Sequence, residues 1–176
     1  MNQEELNRQL LEAAEKGDTD RIWELVEQGA DINARTKGGD TALMKSAAFG
    51  HLTPELLEAL VSRGADVNAR NKNDTTALMY SAYNGHLTPE LLEAYARNGA
   101  DVNAQDQWGN TALIVAAQWD YLTTELLEVL NTHGADVNAR DKDGNNAMSL
   151  CLKGQYTSGM VRSILSFFSC GCSIRD

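Results

Sequence analysis

The sequence predicts an all-α solenoid of about five stacked helix-pair units with projecting β-turn or hairpin tips. Three observations lead there. Gly29, Gly64, Gly99 and Gly134 open the segments GADINAR, GADVNAR, GADVNAQ and GADVNAR, so the text repeats every 35 residues. Self-similarity at such a period marks supersecondary units that stack because none can bury its apolar face alone. Next, GHLTPELLEALVSRGADVNAR at 50–70 returns almost unchanged as GHLTPELLEAYARNGADVNAQ at 85–105. Each copy places Thr-Pro-Glu before an apolar pattern of helical spacing and Gly after it, the start and stop signals of a helix. Finally, the stretches between these copies are rich in Asn and Asp and lack helical periodicity, so they read as turns.

The elements follow in order within Asp66 to Gly99. DVNARNKNDT is a polar tip. Thr76 caps a short helix, TALMYSAYNG, whose Ala77, Leu78, Met79, Ser81 and Ala82 are small or apolar and permit close helix approach. Gly85 ends it, and Thr88 caps a second helix with Pro89 at its first position and Glu90 in its first turn, where orphan N–H groups and the helix dipole favour them. Leu91, Leu92 and Tyr95 form the buried stripe, and Gly99 is a left-handed stop. In the first unit the distance from Gly17 to Gly29 is two residues shorter than that from Gly50 to Gly64, which places the extra length of the later units in the HLTP turn. One domain, 1–176, divides on this pattern into an N-terminal capping unit (1–32), internal units (33–67, 68–102, 103–137) and a degenerate C-terminal capping unit (138–176).

These residues resemble the ankyrin repeat family. GDTALMKSAAFGH at Gly39 to His51, GNTALIVAAQWDY at Gly109 to Tyr121 and the four GAD(V/I)NA segments carry the resemblance, which extends from about Glu4 to about Cys172. It implies an elongated stack of helix pairs whose tips and first helices line a concave face. Ala42, Ala77, Ala112 and Ala147 stand where the family usually has Pro, and Met44, Met79, Ile114 and Ser149 where it usually has His. Apolar packing is therefore expected in place of the family's histidine network.

Composition excludes several classes. No stretch approaches the roughly 20 apolar residues of a membrane span. A net charge of −10 argues against nucleic acid or an anionic membrane as the main partner, since phosphate binding rests on Lys and Arg. The second helices repeat Glu24, Glu27, Glu55, Glu58, Glu90, Glu93, Glu125 and Glu128, whereas Arg35, Lys37, Arg70, Lys72, Arg140 and Lys142 recur at the tips, so an acidic side and a mixed, locally basic side are expected. Cys151, Cys170 and Cys172 form no disulfide framework. The charged N-terminus, MNQEELNRQLLEAAEKGD, lacks a leader's apolar centre, so the expected compartment is the cytoplasm, or the periplasm or exterior if a leader preceded Met1.

No constellation points to catalysis. His51 and His86 fall at the same place in adjacent units, where stacked helices lie about 8–10 Å apart, too far for one zinc ion to hold both. Cys151 aligns with Ser46, Ser81 and Ala116 inside a first helix and reads as a small buried thiol. There is no phosphate loop and no triad, and neither metal nor cofactor is expected.

What differs between copies is the tip and the first helix. Gly38 becomes Asn73, Trp108 and Asp143; Lys45 becomes Tyr80, Val115 and Leu150; Ala48 becomes Tyr83, Gln118 and Lys153; Phe49 becomes Asn84, Trp119 and Gly154. Exposed aromatics dominate binding hot spots. The residues assigned to partner contact are Trp108, Trp119, Tyr80, Tyr83, Phe49, Lys37, Lys45, Lys72, Asn73 and Gln118. A plainer reading has Trp119 and Phe49 covering helix ends, and Trp23 is a lesser site or simple shielding. The expected function is a non-enzymatic module, monomeric when free, that binds a folded protein as an inhibitor or regulator. The alternative is a self-assembling scaffold joined through Phe167 and Phe168 of the last unit.

Overall fold

The structure, a computed structural model, describes residues 2–153. Phe167, Phe168, Cys170 and Cys172, and with them the self-association surface, lie outside the described residues. The helices are α1 (Gln3–Lys16), α2 (Thr19–Glu27), α3 (Ala42–Ala48), α4 (Pro54–Ser62), α5 (Ala77–Tyr83), α6 (Pro89–Arg97), α7 (Ala112–Gln118), α8 (Thr124–Thr132) and α9 (Ala147–Lys153), with no strand among the described residues. The solenoid is all-α, as the sequence predicts. The tips are turns tied to one another by single backbone bonds, such as Lys72 N–H to Gly38 O at 3.0 Å and Lys142 N–H to Trp108 O at 2.9 Å.

Side-chain caps start the helices. Thr76 accepts from the Met79 N–H, and Thr88 from the Leu91 N–H with Pro89 following, so the polar groups orphaned at each N-terminus are satisfied locally. Asn146 and Ser149 exchange hydrogen bonds of 2.8 and 3.0 Å at the start of α9, a reciprocal capping box in which Ser149 replaces the usual Glu or Gln.

Packing runs in two rows. The first helices stack as α1, α3, α5, α7 and α9, and the second as α4, α6 and α8, with α1 also packed on α2. Leu91, Leu92 and Tyr95 are buried as expected, and Met44, Met79 and Ile114 are each 1% exposed, which puts apolar packing at the three family histidine positions. Tyr95 lies where other units have Leu60 and Leu130, and its hydroxyl is satisfied by Ser81 Oγ at 3.1 Å.

The two extra residues of the later units have a clear structural use. They bury Leu52, Leu87 and Leu122 and lay the rings of His51, His86 and Tyr121 over Gly17, Gly50 and Gly85 of the preceding unit. A Cβ on any of those glycines would lie within 2.6–2.7 Å of the covering ring, so none can carry a side chain without displacing it. At the next such position stands Asp120, with φ 61°.

Between units the chain is clamped by asparagine. Asn33 donates to Gly64 O at 2.8 Å and accepts from the Asp66 N–H at 2.9 Å; Asn68 binds Gly99 and Asp101 in the same way, and Asn103 binds Gly134 and Asp136. The first unit has no predecessor, so α1 supplies the equivalent bonds from Gln3 to Gly29 O and from Asp31 N–H to Asn7.

Candidate protein-binding groove

The variable residues divide between two grooves on the side formed by tips and first helices. The C-terminal groove, of ≈ 570 Å³, brings together Asn73, Tyr80, Tyr83, Trp108, Gln118 and Trp119. Lys37 and Lys45 instead line an N-terminal groove of ≈ 610 Å³ beside Glu4, Arg8, Glu12 and Glu15, where Lys45 pairs with Glu15 at 3.1 Å. Phe49 is exposed at the end of α3 with the Lys45 ammonium 5.5 Å from its ring centre, and Lys72 lies exposed on the neighbouring tip; neither lines the aromatic groove.

Local chemistry fixes the aromatic groove from behind. Tyr80, on α5, donates to Asp40 of the preceding tip at 3.0 Å, and Asn71 donates to both the Tyr80 hydroxyl and the Asp40 carboxylate. Tyr83, one turn on, donates to Asp106 of the following tip at 2.9 Å, with Asn110 bridging the pair. The short helix α5 is thereby pinned to the tips on both sides. Burial, with the Asp40 carboxylate adding to it, pushes the Tyr80 phenol up to about 12; burial and the bond to Asp106 raise Tyr83 as well. Both phenols are protonated donors at neutral pH, and their hydroxyls are taken, so each offers a ring to the groove.

Asp106 also accepts from the backbone N–H groups of Trp108 and Asn110, which closes the tip and projects the Trp108 indole. Trp108 is 49% exposed and Trp119, at the end of α7, 53%. Neither indole enters the core. Asp141, Lys142 and Asp143 complete the rim.

The other residues named in the sequence take the following places. Arg35 donates to Gly39 O and Arg70 O, Arg70 to Gln105 O, and Arg140 to Gly144 O, so the tip arginines, still exposed and charged, also hold carbonyls of their own and the next tip. On the opposite side, Glu58 and Glu93 pair with Arg97 and His133 of the following unit. Trp23 is half-buried beneath the Arg63 guanidinium, 4.3 Å from its ring centre, and shields the junction of α2 and α4. Cys151 is 2% exposed and its thiol is pushed up by burial, the profile of an inert core thiol. Among the described residues no group of His, Cys, Asp and Glu is arranged to hold a metal, and no helix is long and apolar enough to cross a membrane.

The family model for ankyrin repeats in three copies matches residues 10–93 and again 88–175. The chain belongs to the ankyrin repeat family. Two ankyrin repeat proteins of Rickettsia felis are similar to it. One is 42% identical over 52 residues, covering 30% of this chain and 82% of the relative; the other is 45% identical over 49 residues, covering 28% and 74%. Ankyrin repeats generally mediate protein–protein interaction and are typically non-enzymatic.

Proposed function

We propose that this ankyrin repeat chain is a non-enzymatic binding module, monomeric when free, that holds a folded protein partner in the groove between α5, α7 and the tips around Trp108 and Asp143, and acts as an inhibitor or regulator of that partner. One observation carries the reading: four aromatic side chains from two successive units converge on one groove, two of them with half their surface in water. Two indoles left half in water within one groove have a solubility cost that partner contact explains. The helices and tips behind them are fixed by partly buried hydrogen bonds, so the surface is preorganised and little ordering opposes binding.

Site-specific photocrosslinking tests this. A benzophenone amino acid at Gln118, expressed in the native host, is expected to give one predominant protein adduct that is lost when Trp108→Ala and Trp119→Ala are combined and far-UV circular dichroism is unchanged. Adducts that persist without either indole, or that form only from a probe at Glu58 on the second-helix side, overturn the assignment.

A further inference from the structure

The chemistry lining the aromatic groove specifies more than a hydrophobic contact. We infer that the groove receives a cationic side chain, an arginine or lysine on a basic segment of the partner, seated against the Trp108 and Trp119 indoles and facing the Asp143 carboxylate; this rests on the reading that the groove is the contact surface.

The indole is the best side-chain face for a cation, and its attraction grows when the pair is partly desolvated. Two indoles and two tyrosine rings line this one groove. The Tyr83 hydroxyl is committed to Asp106, which keeps a buried carboxylate directly behind the rings. Asp143 lies exposed on the rim and its carboxylate has no hydrogen-bond or ion-pair partner among the described residues. Lys142 is the only cation lining the groove among the described residues, against Asp141 and Asp143. The net charge of −10 favours long-range encounter with a basic surface.

The other occupants fit less well. An anionic side chain meets the negative ring faces and Asp143 together. An aliphatic one covers the indoles but leaves the Asp143 carboxylate and the Asn73 and Gln118 amides facing an apolar group, a loss of hydration without replacement.

Three matched peptides test the inference on the intact chain: acetylated, amidated heptapeptides in which glycine alternates with arginine, leucine or glutamate. The readout is the indole N–H resonances of Trp108 and Trp119 in 1H–15N spectra, with Trp23 as internal reference. The arginine peptide is expected to move both resonances along a saturating curve that weakens with salt, the leucine peptide to bind at least tenfold more weakly and the glutamate peptide not at all. Asp143→Asn is expected to weaken the arginine peptide about threefold, the scale of one exposed charge pair, and Trp119→Ala about tenfold. Leucine binding equal to or tighter than arginine binding overturns the inference, as does an equal movement of Trp23. If the Gln118 crosslink forms as expected but the leucine peptide wins, the cationic specificity is wrong while the groove remains the contact surface. If the arginine peptide binds but the crosslink persists without the indoles, the groove binds cations and the proposed function fails.

Discussion

Replacing Asn68 by alanine removes both arms of one inter-unit clamp: the 2.8 Å bond to Gly99 O and the 2.8 Å bond from the Asp101 N–H. A typical intramolecular hydrogen bond contributes about 0.5–1.5 kcal/mol net, so two contribute about 1–3 kcal/mol. Gly99, Asp101 and Asn68 are all exposed, and water can replace the lost partner, which keeps the desolvation penalty small and favours the lower half of that range. The expected loss is about 1–2 kcal/mol. Urea unfolding followed by circular dichroism reads it as a fall in midpoint at unchanged slope. Asn131→Ala is the matched control: it is an exposed asparagine near the end of α8 whose side chain has no hydrogen-bond partner among the described residues. Its expected effect is within about 0.5 kcal/mol. If Asn68→Ala is no more costly than Asn131→Ala, the repeated asparagine does not hold the units together, and the account of the GADVNA segment is wrong.

The raised phenols of Tyr80 and Tyr83 favour the neutral form in the folded state, so their contribution to stability is complete below the unfolded tyrosine value near 10 and is lost as pH rises above it, towards about 12 for Tyr80 and higher for Tyr83. The melting temperature is expected to fall more steeply between pH 10 and 12 than in a Tyr80→Phe, Tyr83→Phe double variant; parallel curves contradict it. Asp120→Gly relieves a left-handed residue at φ 61° and is expected to stabilise the chain by about 0.5–1 kcal/mol in urea unfolding, whereas an unchanged or lower midpoint would show that the aspartate side chain makes a compensating contact. Tyr95→Phe deletes the buried bond to Ser81 while Ser81 keeps Ala77 O as a partner at 3.3 Å, so a loss of about 1 kcal/mol is expected in the same assay. No loss would mean that the bond merely offsets the cost of burying the hydroxyl.

Local signals were legible in the sequence because their causes are local. Thr76 and Thr88 cap helices through bonds to residues three positions on, and Leu91, Leu92 and Tyr95 fall on one face by helical spacing alone. The extra length of the HLTP turn was legible too, but its purpose was not: His86 covers Gly50 in the preceding unit, a contact that only stacking creates. The same reason hid the asparagine clamps, whose partners lie 31 and 33 residues away, although an Asn repeated at the period within the GAD(V/I)NA segments was the available signal. The carbonyl bonds of the tip arginines were hidden too, because their acceptors belong partly to the next unit. Variation between copies points to tips and first helices but carries no distances, so it groups Lys37, Lys45 and Phe49 with tryptophans that line a different groove.

The central claim is that the two indoles anchor the partner, and an affinity comparison tests it most directly. With the protein captured by the Gln118 crosslink as titrant, calorimetry on the parent chain, on Trp108→Ala, on Trp119→Ala and on Glu58→Ala of the opposite side gives the contribution of each surface. Each tryptophan variant is expected to lose about 2 kcal/mol or more, roughly a thirtyfold rise in Kd, with Glu58→Ala within about 0.5 kcal/mol of the parent. Unchanged affinity in both tryptophan variants with a loss in Glu58→Ala would contradict the account and move the binding surface to the second helices.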